Sequence, residues 1–255
     1  MSARAGEAWQ VPSAVESALR KPGGTVRERA ARILRERILI GDLPANSRID
    51  LDELAQGFGT SRTPVREACL ALAQEGLVRV APRSGVTVIG VTPEDTIENF
   101  AMMAVLSGVA AAWAAERITP QQMGTVRDLR TTVVAEVESQ GDIATANWNF
   151  HSEINRASRS PRLLRMLSQT GQMIPMSFFQ LFPEQIPCSL SEHDALVNAL
   201  EVRDPAVARS VTEKHFAESG RLLSAHLDPH GMVPATLVLD HPIMASRLAH
   251  GGAWT

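Results

Sequence analysis

Two rhythms of apolar residues divide the chain. From Val26 the apolar positions Ala30, Ile33, Leu34 and Ile38 recur at helical spacing, with Thr25 placed to cap the helix and Gly41 to end it. "LPANSR" reads as a turn. Asp50 or Leu51 opens a second, short helix with Leu51, Leu54, Ala55 and Phe58 inward, broken by Gly57 and Gly59. Ser61 caps a third, with Pro64 in its first turn and a buried face expected through Leu70, Ala73 and Leu77. The period then changes. Val78, Val80, Val86, Val88 and Ile89 flank "APRSG", the pattern of a two-stranded hairpin. Three helices followed by a hairpin make a winged helix-turn-helix.

Beyond "GVTP" the rhythm is helical throughout. Pro93 opens a helix to about Arg117, Pro120 one to about Gln140, and Asp142 caps one to about Ser158. Pro161 opens a fourth, disturbed near Pro175, and "PEQIP" reads as a loop. Ser189 or Ser191 starts a helix to about Val202, and Asp204-Pro205 starts the last, to about Leu227. Short connections between long helices predict a bundle. The expected architecture is therefore mainly α. Residues 1–24 form a mobile arm, 25–91 a winged helix-turn-helix domain, and 92–228 an all-α helical bundle. The tail 229–255 has no assignable structure, and the stretch Val88 to Glu94 is the joint between the two domains.

Charge sharpens this division. The chain has 255 residues and a net charge of -3. Between Thr25 and Gly90 there are ten arginines against eight acids, whereas from Val91 onward twelve Lys/Arg face eighteen acids. The first part tolerates a polyanion partner and the second does not advertise one. Two distant cysteines, Cys69 and Cys188, fit no zinc or redox spacing. Neither a signal-peptide core nor an uninterrupted apolar run of about 18 residues is evident, so the expectation is a cytoplasmic protein with no membrane partner.

The front of the third helix carries the first candidate chemistry. Arg62 and Arg66 lie four residues apart on one face, flanked by Ser61 and Thr63. An arginine can bond guanine O6 and N7 together, and short hydroxyls suit phosphate oxygens. A solvated helix with incidental arginines is the alternative; the helix–helix–hairpin context favours a recognition helix entering the major groove.

The second candidate lies in the helical half. Asn147 and His151 stand at i and i+4, and His193 and His215 fall on two other helices. Three imidazoles and one oxygen suit Zn, Ni or a similar divalent ion, although each histidine alone is more often structural.

"SRTPVREACLALAQEGLV" resembles the signature of the GntR transcription regulators. The resemblance implies that Ser61, Arg62, Thr63 and Arg66 meet double-stranded operator DNA. It also implies that the hairpin tip at Arg83, Ser84 and Gly85 touches the minor groove or backbone, and that Arg48 adds a further basic contact. The region from 93 to 227 resembles the FCD ligand-binding domain of the FadR subgroup, through Phe150-His151, Glu192-His193 with Leu196 and Ala199-Leu200, and His215. This implies that Asn147, His151, His193 and His215 line a buried polar cavity and hold a divalent metal, Zn or Ni. Two departures stand out. Asn147 replaces the family's usual Asp, which weakens the expected affinity. Met103 and Ser107 occupy the places of an Arg and a Glu, so the family's carboxylate clamp on that helix is missing and Met103 is either core or an adaptable pocket wall. Arg127, Arg130 and Arg156 are arginines of the bundle region that could supply a carboxylate partner, with most of them expected at the surface. The resemblance implies a homodimer acting as a repressor released by a small-molecule effector, an organic acid, and not an enzyme. A metal-dependent hydrolase or lyase using the three histidines, with Glu192 or Glu153 as base, is the competing reading. A DNA-architectural protein whose bundle only dimerises is the third.

Overall fold

The polar residue just before each helical run fixes where it begins. In the computed structural model, which describes residues 24–81 and 85–228, Thr25 accepts from the Glu28 amide and opens α1, Val26–Leu39. A two-residue strand β1, Arg48–Ile49, precedes α2, Leu51–Gly57, whose cap Asp50 accepts from two amides. Helix α3 spans Arg62–Gln74. Strands β2, Val78–Ala81, and β3, Gly85–Val88, pair antiparallel, and β1 adds to the far edge of β3, giving the order β1-β3-β2. The sequence pattern predicts the hairpin but not β1. Thr87 pairs with both Arg48 and Arg79 across the sheet.

The core of this first unit is small-residue packing. Helix α3, with Val65, Ala68, Cys69 and Leu72 buried, packs on α1, with Ala30, Ala31, Leu34 and Ile38 buried, and on α2, with Leu54 and Ala55 buried. The buried stripe of α3 therefore differs from the expected Leu70 and Ala73: Leu70 is 45% exposed and Ala73 only half-buried. Val65, Ala68, Cys69 and Leu72 fall at i, i+3, i+4 and i+7 on one face, and Leu70 falls off it. Arg35 of α1 clamps Glu75, just past α3, through two bonds of 2.7 and 2.6 Å, a bidentate pair that fixes the angle of α3.

The chain divides between Val91 and Thr92, and the strip Pro175–Ser177 also belongs to the first unit. Its amides at Met176 and Ser177, and the Ser177 hydroxyl, donate to the buried Glu36 carboxylate. The expected domain 92–228 thus lends three residues to the other unit.

The second unit is helical. Helix α4, Pro93–Arg117, and α5, Pro120–Glu138, each open on a threonine capping box with proline in the first turn. Helices α6, Ile143–Ala157, and α7, Pro161–Gly171, are capped by Asp142 and Ser160. A short α8, Phe178–Leu181, and a 3-10 turn, Pro183–Gln185, lead into α9, Ile186–Glu201. Helix α9 starts earlier than the expected Ser189 or Ser191, because Pro187 sits in its first turn, where no amide hydrogen is needed. Helix α10, Pro205–Leu227, packs most extensively on α4. That closeness requires Gly220, where a Cβ would meet the Phe100 Cβ at 2.5 Å. Phe100 and Phe150 are the largest fully buried side chains, each contributing about 1.5–3 kcal/mol of burial. By length and composition α4 is apolar enough to cross a membrane, but 61% of its apolar window is buried in the bundle, as befits a central core helix. The expected arm and tail lie outside the described residues, apart from Gly24 at the end of the arm.

Candidate functional site

The first candidate site begins with the register of α3. Burial of Val65, Ala68, Cys69 and Leu72 turns the opposite face outward, so Arg62, Thr63, Arg66 and Glu67 are exposed. Ser61 occupies the N-cap in an extended conformation, yet its side chain makes no capping bond. Its hydroxyl and the amides of the first turn remain available for an anionic oxygen. Arg62 is paired through two nitrogens with Asp52 of α2, and this bond holds the Asp52 carboxyl below its ordinary value. Arg48 is exposed on β1, and Gly85 is exposed at the start of β3 with φ of 84°, a left-handed turn suited to glycine. Arg83 and Ser84 lie outside the described residues.

The second site is built where α6, α9 and α10 converge. His151, His193 and His215 are buried, and one ring nitrogen of each lies within 4.8 Å of the others. The Nε2 atoms of His151 and His193 face each other at 3.2 Å. Two nitrogen ligands of a tetrahedral zinc, at roughly 2.0–2.1 Å from the ion, stand about 3.3 Å apart, so the spacing suits a shared cation. Burial, with the charge of His215 in addition, pushes His151 well below its ordinary pKa. Burial also pushes His193 well below, with contributions from His151, His215 and Arg130. Both rings are thus neutral, the form in which imidazole offers a lone pair.

His215 is oriented from behind. Its Nδ1 lies 2.9 Å from Glu192 Oε2, leaving Nε2 for the cluster. Burial pushes the Glu192 carboxyl up, but the bond and charge of His215, with help from Lys214 and Cys188, outweigh it and hold Glu192 ionised. An ionised carboxylate only accepts, so Nδ1 carries the hydrogen. Asn147 lies one turn before His151, and its Oδ1 is enclosed without a hydrogen-bond partner. An orphaned acceptor one turn from His151, together with the three clustered imidazoles, is a donor set that fits a divalent cation.

Beside His193 runs a narrow cleft of about 160 Å3, counted with its open mouth and too tight for a whole water. Val133, Val137, Ile143, Phe179, Ile186 and Leu190 form its apolar wall, and Ser189 and His193 are its polar residues. The two residues read as an effector pocket lie elsewhere in the same unit. Met103 is buried with Phe178, Phe179, Phe182 and Phe216, and Ser107 is buried on α4. Of the three candidate arginines, Arg127 pairs with Glu201 and Arg156 with Glu153 at exposed positions. Arg130 alone is enclosed, at 11% exposure. Glu153, weighed as a base, is thus tied to an arginine. Sequence reasoning treated Glu192 only as a base; its adjacency to His193 was the available signal for a structural role.

Comparisons with known proteins bear on the family of both units. Residues 26–88 match the model described as bacterial regulatory proteins, gntR family, and residues 98–218 match the FCD domain. A probable D-xylose utilization operon transcriptional repressor of Paenarthrobacter nicotinovorans is 30% identical, over 69% of this chain and 79% of its own length. The HTH-type transcriptional regulator McbR of Escherichia coli is also 30% identical, over 67% of this chain and 80% of its own. The solved structure of E. coli McbR/YncC matches with a TM-score of 0.62 at 24% identity, covering 79% of this chain and 98% of that one. These relatives are regulators, and nothing among them supports the hydrolase alternative. The chain therefore belongs to the GntR family of bacterial transcription regulators, in the group that carries an FCD domain.

Proposed function

We propose that this regulator is a homodimeric repressor that binds a near-palindromic operator and is released by a small metabolite sensed next to a divalent metal. The observation that carries the DNA-binding part is the exposed front of α3: Ser61, Arg62, Thr63 and Arg66 share one solvent-facing end while the remainder of the helix is anchored in the core. Arg66, unlike Arg62, has no acidic partner described, so it stands ready for a guanine edge or a phosphate. Arg62 exchanges Asp52 for DNA. Arg48 and the wing around Arg83, Ser84 and Gly85 add backbone contacts that set the register. Two such domains related by two-fold symmetry read two half-sites.

In the helical unit, Asn147, His151, His193 and His215 hold the ion, and Glu192 fixes the tautomer of His215. Bound there, a divalent cation supplies positive charge that attracts an anionic oxygen of the effector. Met103 and Ser107 shape the pocket from α4. An effector acts only by preferring one arrangement of the dimer over another.

The test is fluorescence anisotropy on operator fragments selected from random duplex, with wild type and Arg66→Ala. Specific binding is expected to weaken in the variant while thermal melting is preserved. Unchanged specific binding would remove α3 from the interface.

A further inference from the structure

Helix α3 distributes its apolar residues unevenly. Val65, Ala68, Cys69 and Leu72 are buried, and Leu70 is the one large apolar side chain that the helix leaves in solvent, at 45% exposure. The stripe that faces the core passes it by, so Leu70 gives the fold little. It stands on the outward face, two turns beyond Thr63 and one turn beyond Arg66, both also exposed. Thr63, Arg66 and Leu70 thus share one face over about 10 Å of helix, the rise of roughly three base steps. The other exposed side chains next to Leu70 are Glu67, one turn before it, and Gln74, one turn after. A carboxylate repels phosphate, and neither lysine nor arginine follows Arg66 on α3, so this stretch is not built to grip the DNA backbone. The major groove does present one apolar feature, the C5-methyl group of thymine, which apolar side chains read by contact.

We propose that Leu70 is a specificity-determining residue that packs on the C5-methyl group of a thymine, about two base pairs beyond the base edge met by Arg66. The inference rests on α3 being the recognition helix, and it adds to that reading one residue and one base. The spacing follows from the helix: four residues advance about 6 Å, and one base step advances about 3.4 Å. Arg66 offers hydrogen bonds to a base edge, whereas Leu70 has none to give. Its selection works by contact and by removing apolar surface from water, its own and that of the methyl group. At the same place a cytosine presents an amino donor and no methyl, and a purine presents the N7 acceptor. A leucine pressed on either leaves a polar group without its water, which disfavours the wrong base. Because Leu70 takes no part in core packing, its removal acts on DNA binding and leaves folding alone.

The experiment is fluorescence anisotropy of the full-length protein on an operator selected from random duplex, with each thymine of one half-site replaced in turn by deoxyuridine, which lacks only the methyl group. Wild type, Leu70→Ala and Arg66→Ala are compared, with melting temperature and oligomeric state measured on the same samples. One uridine position is expected to weaken wild-type binding by about fourfold, the equivalent of one methyl group left unburied. Leu70→Ala should bind the thymine operator more weakly, show no further loss at that uridine position, and melt like wild type. Arg66→Ala should bind more weakly yet keep the thymine preference. A uridine pattern that is the same in wild type and Leu70→Ala, no uridine effect at any position, or a selected half-site without thymine would overturn the proposal. A Leu70→Ala protein of smaller oligomeric state would overturn it too, because Leu70 would then belong to a contact between protein chains. The two levels of failure separate: weakened binding by Arg66→Ala beside an unchanged uridine pattern removes Leu70 alone, whereas wild-type binding by Arg66→Ala removes α3 as the reader and Leu70 with it.

Discussion

Glu192 of α9 accepts the Nδ1–H of His215 of α10 across the helix interface at 2.9 Å. The bond does for His215 what no backbone carbonyl does for it among the described residues: it sets which nitrogen is free. A ligand nitrogen held in one tautomer and one rotation loses little on meeting a cation.

Removing that support should be felt in metal affinity first. Glu192→Ala is expected to weaken zinc binding by about 10–100-fold, and Glu192→Gln, whose amide oxygen still accepts, by less. Competition with a chromophoric chelator reads both values. Equal affinities for the alanine variant and wild type would reduce Glu192 to a bystander.

Asn147 offers the opposite test. Its enclosed Oδ1 is a neutral ligand atom, so Asn147→Asp, which adds a charge one turn before His151, should tighten zinc binding by about tenfold, roughly 1.4 kcal/mol. Asn147→Ala should loosen it. An aspartate variant no tighter than wild type would place Asn147 outside the coordination sphere.

The Arg62–Asp52 pair makes a prediction about salt. Because Arg62 is shared with an acid, Asp52→Asn should tighten DNA binding, while Arg66→Ala should weaken it and lower the salt slope by about one. Anisotropy titrations between low and moderate salt measure both. An Asp52→Asn variant that binds more weakly would mean that the pair positions Arg62 rather than competing for it.

The two thiols should separate by rate. Burial pushes Cys69 up to about 11, and burial with the nearby Glu192 charge also raises exposed Cys188. The thiolate is the reactive form, so a raised pKa lowers reactivity at neutral pH and lets it climb as pH rises. A disulfide reagent at pH 8 is expected to titrate one slow thiol in the native protein and two after denaturation. Two native thiols of equal rate would contradict the burial of Cys69.

Much of this was legible because local chemistry and periodicity agree. Thr92-Pro93 and Thr119-Pro120 announce α4 and α5 to the residue, since cap, proline and helical rhythm coincide. Strand β1 escaped notice because two residues cannot show alternation and their partner, β3, lies far along the chain. The buried stripe of α3 was misphased because Leu70 looks like core while Ala68 and Cys69 do the packing. The histidines were legible through spacing and resemblance. Arg130 was not, because three arginines look alike until the fold pairs two of them with acids at the surface and encloses the third.

The glycine at 220 has a mechanical corollary. With no room for even a methyl against the Phe100 ring, α10 cannot ratchet along α4 without unseating that ring. His215 sits five residues earlier on the same rod, about 7.5 Å along its axis. Its height relative to α4 is therefore locked, and the two rods travel as a single plank. Whatever displaces that imidazole must tilt the plank as a whole or push α9 away from it.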